Sequence, residues 1–286
     1  MRIVFVADNF TDKYIGGSEF SIQTHINSCP FSHIEIKSNE LNLQQLNKET
    51  DFLVFGNFTA LPHNVFLEVQ SGWRYVVEEC DYKYCLYRSS HKHRFFAGRD
   101  CDCHLHSGLE IQDFFMNALY LFWKSEKQRD EYSRLFPKLR KVQSEIMGGV
   151  FSDVDLNYIL SLKNKRRDNK YFVLKSDSWI KGSQDAIDYC HKNKMRFRLV
   201  GNVPYHKVLR KMAKSKGIVY LPRGFDPSCR MITEAKLLGI EIITNDLVQH
   251  TKENWFNNGE KGMLEFLKSR NAIFWKVLYG YLVGKS

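Results

Sequence analysis

Apolar residues in this chain cluster in short continuous runs instead of alternating with polar ones. RIVFVAD (Arg2 to Asp8), DFLVFGN (Asp51 to Asn57), WRYVVEE (Trp73 to Glu79) and ALYLFWK (Ala118 to Lys124) are rich in β-branched and aromatic residues, and each stops at a polar position. Runs of this kind predict strands buried on both faces, as in a parallel sheet covered by helices. Helical spacing fills segments such as Ser18 to Asn27 and Glu126 to Phe136. A second set follows, with strands predicted at Lys170 to Ser176, Arg196 to Asn202, Gly217 to Arg223 and Ile240 to Asp246. Helices are predicted among them at Ser183 to Asn193, His206 to Ser215 and Pro227 to Leu238. Strand and helix alternate twice over, which predicts an α/β fold with parallel sheets and right-handed crossovers.

The strand pattern breaks near Met147 to Leu156, where Gly148-Gly149 interrupts, and the charged run KNKRRDNK precedes the second set. The expected organisation is a domain over 1–148, a linker over 149–169, a second domain over 170–261, and a helical segment over 262–286 that packs back on the first domain. Open α/β sheets bind ligands beyond the carboxyl ends of their strands, so two such domains facing each other would form a cleft.

Charge narrows the partners. The 286 residues carry a formal net charge of +10, and between Asn157 and Gly217 sixteen Lys or Arg stand against four Asp. Such a field attracts phosphate-bearing partners: a nucleotide, a nucleic acid or an anionic membrane surface. No apolar run reaches the roughly 18 residues of a membrane span. The N-terminal MRIVFVADNF is too short for a signal peptide and reads as a strand, which makes the cytoplasm the expected location. Four of the seven cysteines, Cys80, Cys85, Cys101 and Cys103, lie close in sequence, with His91, His93, His104 and His106 nearby. Soft ligands of this kind suit tetrahedral zinc, but their C-x4-C and C-x-C spacing matches none of the common zinc patterns, so reduced thiols are the expectation, a structural zinc is the alternative, and no metal is assigned.

Two glycine turns carry candidate chemistry. Gly16-Gly17 follows the first strand and precedes Ser18; glycines allow a ligand close to the backbone, and the helix start offers free N–H groups to an anion. The loop lacks G-x-G-x-x-G, and no G-x-x-x-x-G-K-[ST] occurs, so neither a dinucleotide fingerprint nor a P-loop is present. In GFDPSCRMITEAKLLG (Gly224 to Gly239), Asp226 is placed to cap a helix with Pro227 at its first position. Ser228, Cys229 and Arg230 then lie at the helix start, where unpaired N–H groups and a cation suit a diphosphate. Glu234 falls on the flank of the apolar stripe made by Met231, Ala235 and Leu238, where a carboxylate is partly desolvated unless paired. A surface helix with a solvated glutamate is the plainer alternative.

D-x7-E followed by AKLLG resembles the E-x7-E segment of GT-B glycosyltransferases of the GT4 type. IGGSEF resembles that family's first glycine loop, SWIKGSQDAID (Ser178 to Asp188) its K-G element, and LVGN (Leu199 to Asn202) the strand that follows. The whole chain also resembles short glycosyltransferases of tailed phages. The resemblance implies two Rossmann-like domains across a cleft, 1–148 on the acceptor side and 170–261 binding the donor, a nucleotide diphosphate sugar. It implies that Glu234 binds the donor ribose and that Asp226, with the backbone from Pro227 to Arg230, faces sugar and diphosphate. Lys181 would neutralise diphosphate, with Gly16-Gly17 opposite. The implied reaction is retaining and needs neither cofactor nor metal.

Three positions depart from the family pattern. Asp226 replaces the usual Glu, Ser176 stands where an Arg is frequent, and the family's N-domain catalytic histidine has no evident match. EECDYKYCLYRSSHKH offers Glu79, Asp81, Arg88 and His91 for that role, with Asp81 and His91 taken as the catalytic candidates. D-x-D occurs at Asp100 and at Asp153, in surroundings unlike a metal-binding transferase motif. The acceptor is open: a hydroxymethylated base in DNA, with Trp73, Tyr82, Tyr84 and Tyr87 as stacking surface, or a surface glycan or lipid. A non-catalytic nucleic-acid-binding protein on a transferase scaffold is the competing function.

Overall fold

In the computed structural model the strands pair into two separate, wholly parallel sheets. The structure describes residues 1–11 and 16–283; positions 12–15 of the first glycine loop and 284–286 of the C-terminal segment lie outside the described residues. The first sheet contains β1 (Arg2–Ala7), β2 (His33–Lys37), β3 (Asp51–Phe55), β4 (Tyr75–Glu79), β5 (Tyr120–Trp123) and β6 (Ser144–Ile146), in the order β2-β1-β3-β4-β5-β6. The second contains β7 (Tyr171–Leu174), β8 (Phe197–Val200), β9 (Gly217–Tyr220) and β10 (Glu241–Thr244), in the order β10-β9-β7-β8. Helices α1 (Gly17–Asn27), α2 (His63–Gln70), α3 (Ser90–Ala97), α4 (Gly108–Asn117) and α5 (Glu126–Leu135) belong to the first sheet's part of the chain. They are followed by α6 (Asp153–Ser161), α7 (Ser183–Lys192), α8 (Tyr205–Ala213), α9 (Arg230–Leu238), α10 (Asn254–Asn257) and α11 (Gly259–Leu282).

The continuous apolar runs are buried on both faces because both faces are covered. Successive strand side chains point to opposite sides. Thus Ile3 and Phe5 join a core with Ile22 and Ile26 of α1, while Val4 and Val6 join a core with Phe66 of α2 and Phe114 of α4. The two strands that escaped the sequence pattern are both at sheet edges. HIEIK of β2 is only partly buried, and β6 has just three residues. Short, half-exposed edges carry little apolar signal.

Two expected boundaries shift. Within 149–169 the chain forms α6, whose Leu156 and Ile159 are fully buried in the second core. The helix expected from Pro227 starts instead at Arg230, with Cys229 at its N-cap. Asp226 is not a cap: it lies in extended backbone bridged to Val248, donating its N–H to Leu247 O and accepting from Gln249 N–H. The backbone of Asp226 is thereby tied to another segment before the helix can begin.

The C-terminal helix α11 touches both halves. Met263 and Leu267 are buried in the second core, whereas Phe274, Leu278 and Leu282 are buried against the first sheet with Ile3 and Phe5. Between them Arg270 donates to Ile146 O at 2.8 Å and pairs with Glu145 at 3.3 Å. None of the helices, among the described residues, is long and apolar enough to cross a membrane.

Gly182 has the tightest glycine environment. It sits at φ +58°, and a Cβ there would lie 1.8 Å from the carbonyl oxygen of Leu221. Gly182→Ala is expected to cost at least about 2 kcal/mol of stability from backbone strain and overlap. Gly280→Ala, on α11 with open space around it, is expected to be neutral or to stabilise by up to about 1 kcal/mol. Urea unfolding of the two variants beside wild type checks the contrast.

Candidate active site

Two helix N-termini meet where the sheets' carboxyl-end loops converge. Gly16 is the N-cap of α1 in extended backbone, and a Cβ on Gly17 would lie 3.8 Å from the Cβ of Arg230, the first residue of α9. Helix starts leave amides without intrahelical partners and carry partial positive charge. The facing ends of α1 and α9 therefore form a frame for an anion, with glycine keeping one wall bare. Phe20 of α1 completes the contact, lying 4.5 Å from the Tyr205 ring and 4.7 Å from the Arg230 guanidinium.

Glu234 is 1 % exposed. One carboxylate oxygen accepts from Tyr205 Oη at 2.6 Å and from Arg230 Nε at 3.0 Å. Its other oxygen, Oε2, is buried with no hydrogen-bond partner among the described residues. Burial raises the Glu234 pKa above the ordinary carboxyl range, with Arg230 and Tyr205 opposing. A buried carboxylate with half its acceptor capacity unused is costly unless something else donates to it.

Arg230 turns inward, away from the anion-binding role expected of it. It donates to Val150 O at 2.8 Å and Asp155 Oδ2 at 3.0 Å besides Glu234, and its guanidinium lies 3.9 Å from the Phe151 ring centre. Its charge is already matched by two carboxylates. The plainer sequence alternative, a solvated glutamate on a surface helix, fails for the same reason: Glu234 is buried in this network.

Asp226 accepts from Lys181 Nζ at 3.0 Å and from Tyr220 Oη at 2.6 Å. Burial works to raise its pKa, but Lys181 and the tyrosine hydroxyl outweigh that and hold it below the usual carboxylate range. Lys181 is about one-third exposed, so its ammonium is oriented by Asp226 yet still reaches solvent. The glycine after it, Gly182, allows the K-G turn to pass against the backbone of Leu221. Ser228 Oγ is a second buried group with no partner among the described residues, and Cys229 is buried. Behind α9, His250 is fully buried with Nε2 3.3 Å from Thr233 Oγ1; burial lowers its pKa to about 4.

On the first-domain side, Asp81 is ion-paired with both Arg88 and Lys83, and Glu79 accepts from Lys83 and Tyr132. Both acids are thus engaged in structural pairs. His91 is different. Its ring packs edge-on against Phe225 at 4.4 Å, Nδ1 is buried without a partner among the described residues, and burial lowers its pKa. His91, Ser90, Arg94, Glu131 and Phe225 help line a cavity of about 430 Å³. The expected stacking surface is not one: Trp73, Tyr82 and Tyr84 are buried in the first core, and Tyr87 packs against His93. Three of the four D-x-D acids are occupied as well, Asp100 by Arg94, Asp102 by Arg99 and Asp155 by Arg230.

Sequence reasoning missed Tyr205, Phe20 and Tyr220. Phe20 closes the IGGSEF stretch but has no role assigned there, and for Tyr205 and Tyr220 a hydroxyl aimed at a carboxylate leaves no spacing signal. Buried Glu19, on the first turn of α1, could have been found: it lies inside IGGSEF, and an acid in a first helical turn is favoured by the helix dipole.

No family profile matches the chain, and no curated protein matches it in sequence. Solved structures do resemble it. Sucrose-phosphate synthase from Thermosynechococcus elongatus superposes with a TM-score of 0.62 at 11% identity, covering 100% of both chains. HepE from Anabaena, in complex with UDP and glucose, gives 0.53 at 12% identity over 96% of this chain and 94% of that one. An alpha-glucosyltransferase in complex with UDP gives 0.50 at 10% identity over 98% and 95%. The likeness is one of fold: two Rossmann-like domains with parallel sheets, the GT-B architecture of glycosyltransferases.

Acidification should loosen this site from behind. His250 is held neutral in the folded chain, whereas an unfolded histidine titrates near its ordinary 6.5. Between about pH 6.5 and about 4 the unfolded state therefore binds more protons, and stability falls as pH falls, by at most about 3 kcal/mol from this group. Burial pushes the Glu253 carboxyl up to about 7, which acts with the opposite sign over the same range. The His250 contribution is therefore read as the difference between wild type and His250→Gln in urea unfolding from pH 7 to pH 4: the variant should lose less stability, or gain more, as pH falls.

Proposed function

We propose that this chain is a glycosyltransferase that moves a sugar from a nucleotide diphosphate sugar, with UDP as the expected nucleotide, to a hydroxyl acceptor. The observation that carries this reading is the unpartnered Oε2 of buried Glu234 beside the facing N-termini of α1 and α9. A ribose supplies the missing hydroxyl donors, and a diphosphate fits the two helix ends. The similar structures in complex with UDP favour uridine.

In this reading the ribose hydroxyls bind Glu234 and exchange with the Tyr205 hydroxyl. The diphosphate lies between Gly16-Gly17 and the start of α9, with Lys181 and the Ser228 hydroxyl beside it. Asp226 aims Lys181 and accepts hydroxyls of the donor sugar. The acceptor oxygen bonds to the anomeric carbon, the bond from that carbon to the diphosphate oxygen breaks, and the acceptor proton leaves on the released diphosphate. Charge on that leaving group is met by preorganised amides and Lys181, the term that dominates catalysis of this type. His91, neutral and with a free ring nitrogen, lines the acceptor side. We read the reaction as retaining and metal-independent, as the GT4 resemblance implies. The basic stretch from Asn157 to Gly217 supports an anionic acceptor, and a hydroxymethylated base in DNA, as in a phage-encoded enzyme, is the one proposed.

Thermal unfolding with UDP, GDP, ADP, CDP and NAD tests the donor site. UDP at 100 times its dissociation constant should add about 2.7 kcal/mol. Glu234→Gln, which keeps the side-chain shape, should abolish most of that gain. Stabilisation by another diphosphate would move the donor base; no response to any would overturn the transferase reading in favour of nucleic-acid binding alone. With UDP-glucose, mass gain on DNA containing hydroxymethylcytosine is expected. Transfer only to a glycan or lipid hydroxyl would replace the acceptor, and His91→Ala should lower turnover at least tenfold.

A further inference from the structure

The cysteines between β4 and α4 take no part in the donor site, yet three of them converge. Cys85, Cys101 and Cys103 come together with His93, and their ligand atoms all lie within 4.8 Å of one another. His93 Nδ1 is 3.4 Å from Cys103 Sγ and 3.7 Å from Cys85 Sγ. Thiolate and imidazole donors at about 2.3 and about 2.1 Å from zinc lie roughly 3.5–3.8 Å apart along a tetrahedral edge. The two His93 spacings match that edge, and the remaining pairs lie within 4.8 Å, close enough for side-chain adjustment to complete it. Cys80, the fourth cysteine of the sequence cluster, points elsewhere, toward Glu78 O.

The local fold explains why the pattern was not legible. The ligand spacing is C-x7-H-x7-C-x-C. His93 stands on α3, and the turn before that helix brings Cys85 back beneath it. Arg88 in that turn has φ +56°, its N–H donates to Cys85 O, and Ser89 O accepts from the His93 N–H. Cys101 and Cys103 arrive from the loop after α3. His93 and Cys103 are buried, Cys85 is buried, and Cys101 is partly exposed. Three thiols and an imidazole aimed at one point, with no disulfide among them, form a donor set suited to a borderline-soft cation.

We propose that Cys85, His93, Cys101 and Cys103 hold one structural zinc ion. Four protein ligands close the coordination sphere, so the ion has a structural role and no open position for a substrate. What it fixes is α3. That helix reaches the second domain: Phe95 and Phe96 lie 5.2 and 6.0 Å from Trp179 beside the K-G turn, and His91 meets Phe225. The site thus clamps a first-domain helix that has few buried residues of its own; within α3 only His93 is buried.

The test uses the full chain, purified without chelator under reducing conditions. Elemental analysis should give one zinc per chain. X-ray absorption should show three sulfur neighbours near about 2.3 Å and one nitrogen. Co(II) added to metal-stripped protein should give the absorption of a tetrahedral thiolate site, saturating at one equivalent. Cys101→Ser and His93→Ala should lose the zinc, whereas Cys80→Ser should keep it. X-ray absorption on wild type decides the matter even where a variant fails to fold. Absence of zinc after reconstitution with Zn(II), a metal shell of oxygen and nitrogen alone, or a disulfide joining two of the three cysteines would overturn the proposal. These outcomes are independent of whether UDP binds.

Discussion

The buried guanidinium of Arg230 is the contact on which the centre of this molecule depends. Taking such a charge out of water costs several kcal/mol unless every donor is met. Here the donors reach Glu234 and Tyr205, then Asp155 and the carbonyl of Val150. The flat faces lie against Phe151 and Phe20. Those partners come from α9, α8, the start of α6, the crossing between the domains and α1. A planar fork with fixed donors can join so many elements; a lysine ammonium could not. The same network leaves Glu234 with one oxygen satisfied and one not, which separates a structural ion pair from a binding group.

Asp226 and Lys181 form a second, looser pair at the edge of the same crevice. Tyr220 fixes the carboxylate from below, and the parallel bridge to Val248 fixes its backbone. Because Asp226 is committed to that bridge, α9 begins at Arg230 and its first amides are set back beside Ser228. The expected capping role gave way to a position in which the acid orients a cation. Local capping preference is worth about 1 kcal/mol, less than a buried charge pair with two hydrogen bonds can demand.

Much of the fold could be read from the chain because buried parallel strands are nearly all apolar, and β1, β3, β4, β5, β7 and β9 are of that kind, whereas β8 and β10, at the edges of the second sheet, are only partly buried. Edge strands β2 and β6 are not, and the helices α3 and α4 carry no long apolar stripe. The candidate site was legible where backbone geometry marks the sequence: Gly16-Gly17, the K-G turn at Gly182, and the helix carrying Glu234. It was not legible where tertiary contact chose the partner. Tyr205 and Phe20 are ordinary aromatics in sequence, and Tyr82 and Tyr84 looked available for stacking but fill the core. The convergence of His93 with three cysteines depends on a turn at a non-glycine residue with positive φ, which no spacing rule anticipates.

The helix α11 couples the halves in a way that shapes any opening of the crevice. The chain crosses from the first domain to the second after β6 and returns along α11, whose 24 residues span about 36 Å and end in both cores. Arg270 pins the middle of this helix to the outgoing crossing at Ile146. The two crossings are thereby tied together at one place, which restricts how the halves can part. Translation of one half away from the other would have to bend a continuous helix or pull Phe274 and Leu278 from beneath the first sheet. Whatever enters the crevice therefore meets two halves whose separation is most restricted on the side of Arg270.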